Sequence, residues 1–321
     1  MGGPGHDGQL AHEGHGHAEL TDEDLAQIRA NFEKAGKIAH SVISEVPKLV
    51  VPGESLLDIV ESLEKMIMDA GAKPAFPATV SVNEIAAHYT PEAGNKDLIG
   101  EKDVVKIDLG AHVDGCIGDT AVTIDLSDEQ EKLIEASEAA LSSAIASMKP
   151  GMKVGDVGAI IEQEITSRGF KPIENLTGHK IEPYLLHAGV EIPNVRSHSS
   201  YELQEGDFFA VEPFASAGSG RVADTAQVEV FSFQSAPKLR QKFSRELLQH
   251  VVETYLSLPF AERWLVGVFN SRLTLATSLR ELLNSGALYP YPVLRDTGKG
   301  LVSQAEHTVA IEHDSAKILT K

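Results

Sequence analysis

A mixed α/β domain with an internal duplication is the fold this sequence predicts, on three observations. Apolar residues recur at helical spacing in the first seventy positions, and again beyond position 130. Between those segments, "VVKIDLGAHVDGCIGDTAVTID" (104–125) has β-branched residues on both sides of a glycine-punctuated middle, the pattern of paired strands. Finally, "EKDVVKID" (101–108) and "EGDFFAVE" (205–212) echo each other: Glu-x-Asp, four further residues, then a carboxylate, with a small-residue turn shortly after. The echo marks Asp108 and Glu212 as equivalent positions at strand ends.

Each element follows from local signals. Residues 1–20 are rich in Gly and His, with almost nothing to bury. They read as a disordered tail in which His6, His12, His15 and His17 are solvated and form no specific site. From Thr21, "TDED" supplies a cap with acids in the first turn, and Leu25, Ile28, Phe32, Ala35, Ala39 and Val42 follow at helical spacing. Pro47 and "VPG" (51–53) end that helix. Ser55 caps a second, carrying Leu56, Ile59, Val60, Leu63, Met66 and Ile67 and closed by Gly71. After the two strands of 104–125, "SDEQ" (127–130) opens a helix to about Met148, and another spans about 154–168 with Gly169 beyond it. Short strands and loops fill 172–234. A helical stretch covers about 236–286, including Leu247, Leu248, Val251, Leu275, Leu279 and Leu282, and strands return over 287–320.

Composition narrows the function classes. The chain has 321 residues, 42% of them hydrophobic, which suits one large core or two smaller ones. It has no apolar run of about 18 residues and no apolar segment near its start, so neither a membrane span nor a secretory signal is expected. A lone cysteine, Cys116, forbids an intrachain disulfide and fits a reducing cytoplasm; it reads as a small buried residue. With 47 acidic against 28 basic residues, the net charge of −19 repels phosphate backbones and argues against nucleic-acid binding.

Five residues carry the chemical argument. Asp108 and Asp119 lie eleven positions apart on the two strands, with Gly110, Gly115 and Gly118 between them, so a hairpin there brings two carboxylates together. They are either turn aspartates bonding backbone N–H groups or a pair that needs protons or cations. His179 in "GHKIEPYLLHAG", Glu212 in "FFAVEPF" and Glu306 in "SQAEHTVAIE" sit in apolar surroundings, where an unpaired charge is costly. Four carboxylates and one imidazole repel strongly without cations. Two divalent ions, about 3.5–4 Å apart, would neutralise the set and act on water. The oxygen-rich donor set suits Mn, Fe or Co at least as well as Zn, and a lone Cys116 rules out thiolate zinc. His88 in "AAHYTP" stays open between core histidine, ligand and catalytic group.

Taken together, "AFPATVSVNEIAAHYTP", "IDLGAHVDGCIGDTA", "GHKIEPYLLHAG", "FAVEPFA", "LPFAERWL", "YPYPVL" and "AEHT" resemble the type 2 methionine aminopeptidases, in that family's order and spacing, over about residues 21–318. The resemblance implies the pita-bread fold: two pseudo-symmetric halves, curved antiparallel sheets covered by helices, and a helical insertion at about 236–286 within a single catalytic domain, 21–321. It implies that Asp108 holds one metal, Asp119 and Glu306 bridge both, and His179 and Glu212 hold the other, with Co, Mn or Fe as the ions and Zn as an alternative. The implied reaction removes the N-terminal Met of nascent proteins whose second residue is small, by attack of a hydroxide bridging the metals. By the same resemblance, Glu212 also moves the water's proton, His88 and His187 contact the reacting peptide, and Phe76, Leu186 and Tyr291 line the Met pocket. The expected protein is a cytoplasmic monomer, with no membrane or sequence-specific nucleic-acid partner and at most a transient ribosome contact.

The long gap before the last ligand, with Glu306 coming 94 positions after Glu212, and "LPFAERWL" carry the subtype. Two departures stand out: Ala305 in "QAEHT" where "QFEHT" is common, and "LSLPF" where "GTLPF" is frequent. Two other functions compete. Proline-directed peptidases share the five-ligand pattern, but usually carry a large extra N-terminal domain, and only about 75 residues precede "FPATVS" here. Non-catalytic relatives that bind ribosomes or nucleic acid typically lose ligands and gain basic patches, whereas all five positions are filled here.

Overall fold

The computed structural model describes residues 21–269 and 271–321, so the Gly- and His-rich tail lies outside the described residues. The spine is an antiparallel sheet. Its central strands run in the order Val104–Val113, Cys116–Asp125, Glu306–Ile311, Phe208–Val211 and Thr177–Ile181. The first two form one long hairpin in register from Val104 opposite Asp125 to Val113 opposite Cys116. The two halves of the chain join where the second hairpin strand pairs with the last long strand, Glu306 opposite Ala121.

Each half has its own helix layer and core. Helices Asp22–Ile43 and Leu56–Asp69 pack Val42, Ile59, Leu63 and Ile67 onto Val105, Ile107 and Leu109 of the hairpin. Helices Glu131–Ser147 and Val154–Ser167 pack Leu133, Ala140, Val157 and Ile161 onto Phe209, Val211 and Val309. The duplicated α/β plan read from the echo is thus present, but Asp108 is not at a strand end. Its strand runs five residues further, whereas Glu212 follows directly on Phe208–Val211, where Pro213 interrupts the strand before Phe214–Ser216.

A smaller sheet stands beside the first: Phe260–Ala261, Val222–Phe233, Leu288–Asp296 and Ile85–Ala87, in that order. Helices Lys242–Tyr255, Glu262–Leu265 and Arg272–Asn284, which fall within 236–286, bury Leu247, Val251, Leu275 and Leu279 with Phe231 and Phe260. Among the described residues no helix is long and apolar enough to cross a membrane.

Several boundaries differ from the sequence reading for physical reasons. Thr21 does form a reciprocal capping box with Asp24. Leu25, however, is exposed in the first turn. The helix Glu131–Ser147 starts at Glu131, not at "SDEQ", because the Asp125 carboxylate accepts the N–H groups of Ser127 and Gln130 and holds that segment as a turn. Val222–Phe233 is one twelve-residue strand; register shifts between Asp224 and Val230 hide its alternation. Leu256 takes φ 54° and ψ −111°, a glycine-type conformation at the position where "GTLPF" would place Gly.

One close approach fixes the first helix on the sheet. A Cβ on Gly118 would lie 2.5 Å from the backbone nitrogen of Gly36, so helix and strand touch backbone to backbone. Gly118→Ala is therefore expected to cost about 1–3 kcal/mol of stability through overpacking, read as a lowered midpoint in denaturant unfolding. A midpoint equal to that of the wild type would show that the contact is loose.

Candidate metal and substrate site

Sheet register gathers the sequence-singled residues. Directly paired residues in an antiparallel sheet share a face, and residues two apart along a strand do as well. Ala121 is opposite Asp108 on one side and Glu306 on the other, so these three form a row across the sheet. Asp119, two residues before Ala121, lies on the same face. His179 joins it from the next strand pair, opposite Ala210. Alanine and glycine between the acidic positions leave the space open. Asp119, His179 and Glu306 offer ligand atoms all within 4.8 Å of one another. Glu212 Oε1 is 3.5 Å and Asp119 Oδ2 3.7 Å from His179 Nε2. The amide nitrogen of Gln304 donates at 3.3 Å to Asp108 and at 3.4 Å to Glu306.

Two supporting residues were missed in the sequence. Gln304 is one; its signal was its place two residues before Glu306, on the same strand face. Thr308 is the other. Its hydroxyl accepts from the Asp119 N–H at 2.7 Å and donates to the Asp119 carbonyl at 2.9 Å, which fixes the strand at that carboxylate. Ala305 alternates with Glu306 and faces the second helix layer, so its difference from the family pattern is one of packing.

The electrostatics demand positive charge. Burial, then hydrogen bonding with Gln304 in the opposite sense, sets the Asp108 carboxyl at about 7, against an ordinary 3.8. Burial and the charge of Asp108 hold Asp119 well above its ordinary value; burial with the neighbouring carboxylates does the same for Glu212 and Glu306. Burial keeps His179 far below its ordinary value and therefore neutral. Among the described residues, no Lys or Arg pairs with these four acids. Lys106, two residues along from Asp108, instead donates to the carbonyls of Asn83 and Val302, each at 3.0 Å. Oδ1 of Asp108, Oδ1 of Asp119 and Nδ1 of His179 are buried without a hydrogen-bond partner. Orphaned carboxylate oxygens around a neutral imidazole fit the ligand set of divalent cations.

The other candidate residues flank this cluster. His179, His187, Tyr291 and His88 follow one another as ring contacts at 4.4, 6.3 and 5.7 Å between centroids. His88 has φ 68°, rare for a residue with a side chain, and its Nδ1 is 3.1 Å from the carbonyl of Pro292. A carbonyl only accepts, so Nδ1 carries the proton and Nε2 keeps its lone pair. Burial lowers the pKa of His88 and leaves it neutral, whereas His187 is exposed to solvent. Phe76 fills the space left by Gly110, where a Cβ would meet its ring at 2.4 Å; Gly110 is directly opposite Asp119. Leu186 packs against the same apolar cluster as Phe76, and the Tyr291 hydroxyl lies 3.3 Å from Ser232 Oγ.

Such a buried, cation-demanding acid cluster on a two-halved α/β sheet defines a metal-dependent hydrolase, and the chain belongs to metallopeptidase family M24, whose model matches residues 30–231. Among its relatives, the methionine aminopeptidase of Pyrococcus horikoshii is 49% identical over 290 residues, 90% of this chain and 98% of that one. The methionine aminopeptidase of Methanothermobacter thermautotrophicus is 42% identical over 92% of this chain and 100% of that one. The fold is the pita-bread fold. The crystal structure of methionine aminopeptidase from Thermotoga maritima shares it with a TM-score of 0.68 at 24% identity, covering 94% of this chain and 98% of that one.

Raised carboxyl pKa values make the metal-free protein sensitive to pH in a definite direction. The folded state holds protons that the unfolded state has already lost, so stability falls as pH rises from about 4 through the raised values, near 7 for Asp108. Thermal unfolding in chelator is expected to show a melting temperature that declines over this range, and saturating Mn or Co to remove most of the decline. A flat or rising profile in chelator would contradict the charge assignment.

Proposed function

We propose that this chain is a type 2 methionine aminopeptidase that removes the N-terminal Met from nascent chains whose second residue is small. The observation that carries it is the gathered set of four carboxylates and one neutral imidazole, with Asp119, His179 and Glu306 buried, adjoined by His88, His187 and the apolar cluster that holds Phe76 and Leu186. Asp108, Asp119, His179, Glu212 and Glu306 would hold two divalent ions: Co, Mn or Fe, with Zn as an alternative. When bound, such ions supply an activated water and polarise the scissile carbonyl.

The chain's own residues do the remainder. Glu212, with its raised affinity for protons, takes the proton of the attacking water on its carboxylate and returns it to the leaving amine. His88, fixed by Pro292, offers the Nε2 lone pair to the scissile N–H and so aligns the peptide. His187 donates to the oxygen on which charge develops. Phe76, Leu186 and Tyr291 enclose the thioether side chain, which polarisable and aromatic surfaces bind well. The three helices within 236–286 support the type 2 assignment. We take residues 21–321 as one catalytic domain with that insertion, acting in the cytoplasm as a monomer, with a transient contact at the ribosome.

Turnover of a Met-Ala-Ser peptide with Mn, Co or Fe supplied, and none of a Xaa-Pro peptide, is the direct check; no release of Met with any of these ions would sink the reading. Asp108→Asn is expected to lower kcat by about a hundredfold or more. His88→Ala is expected to keep wild-type metal content and fold while kcat drops by about two orders of magnitude. Loss of metal in His88→Ala would return His88 to the ligands.

A further inference from the structure

A buried ion pair outside the metal cluster is placed where it controls the pocket. Glu64 projects from helix Leu56–Asp69, and Arg263 from helix Glu262–Leu265; both are buried. One Glu64 oxygen accepts from Arg263 Nη2 and, at 3.1 Å, from the backbone N–H of Ala78; the other accepts from Trp264 Nε1 at 2.9 Å. Arg263 Nη1 donates to the Thr90 hydroxyl at 2.6 Å, and that hydroxyl donates to the Ala78 carbonyl at 2.8 Å. The Val80 N–H donates to the Tyr89 carbonyl at 2.8 Å, closing the loop between. One ion pair therefore grips both ends of the segment Ala78–Thr90, which begins two residues after Phe76 and contains His88.

The arrangement is poor value as a stabiliser. Burial raises the Glu64 pKa and lowers that of Arg263 against their mutual attraction. Arg263 Nε is buried with no hydrogen-bond partner. Such pairs are commonly replaceable by apolar residues at no loss of stability. The strained backbone of His88 persists only if its surroundings over-determine it. We infer that Glu64, Arg263 and Thr90 are positioning residues: through them the helical insertion holds Ala78–Thr90, and with it the His88 imidazole, in register over the metal cluster. This rests on the reading of His88 as a substrate-facing group.

The test uses the full chain, loaded with Mn for kinetics and with diamagnetic Zn for the resonance measurement. Thr90→Val keeps shape but loses the hydroxyl that links Arg263 to Ala78. It is expected to lower kcat for Met-Ala-Ser by about tenfold or more, with metal content near wild type and a melting temperature a few degrees lower from the unpaired Arg263 Nη1 and Ala78 carbonyl, and Thr90→Ser to recover most of both losses. The double variant Glu64→Met with Arg263→Met leaves the Ala78 N–H and Trp264 Nε1 unpaired, so it is expected to lose some stability and to show the same kcat defect. If it does not fold, Thr90→Val decides. The imidazole resonance of His88, assigned with His88→Gln, should move in Thr90→Val and stay in place in Thr90→Ser. Wild-type kcat and an unmoved resonance in Thr90→Val would overturn the proposal. If the wild type itself releases no Met, the functional reading fails instead, and the resonance alone decides the positioning claim.

Discussion

Four carboxylates on one face of one sheet, with no lysine or arginine paired to them among the described residues, are the constraint around which this molecule is arranged. Left to themselves they repel, and each is pushed toward its protonated form. The hydrophobic layers on both halves tolerate that frustration because they are extensive and independent of it. The strain is then available for chemistry. Under the proposed reading, a cation that enters would meet groups already largely desolvated and already aimed, so that little reorganisation would be needed at the moment of reaction.

The duplicated plan explains how such a site arises. Neither half owns it: the hairpin of the first half supplies Asp108 and Asp119, and the strands of the second supply His179, Glu212 and Glu306. The seam runs where Glu306 is opposite Ala121, so pairing the halves and assembling the cluster are one event. The smaller sheet then adds a wall, with Tyr291 and Pro292 on one strand and the His88 segment beside it.

Much of this was legible in the sequence where chemistry and pattern were local. The hairpin announced itself through β-branched residues around glycines, and the acids stood out because apolar runs rarely tolerate them. What stayed hidden was long-range. The partner of His88 is a carbonyl 204 positions away, and that of Glu64 is an arginine 199 positions away, so neither leaves a local signal. Gln304 was hidden for another reason: an amide beside a motif looks like an ordinary strand residue until register shows which acids it spans. The turn at Asp125 misled because the same "SDEQ" that could cap a helix also suits an Asx turn, and a nearby carboxylate chose between them.

The contact between Gly36 and Gly118 has a bearing beyond packing. Strand residues alternate, so Gly118 turns its back to the face on which its neighbour Asp119 presents a carboxylate. The first helix thus works as an insulator laid directly against the reverse of the acid cluster, keeping solvent from reaching it through the sheet. With no side chain between the two backbones, the helix itself backs the strand at that point. A substitution on the sheet-facing side of that helix, tens of residues in sequence from any of the five candidate ligands, would therefore be felt at the cluster.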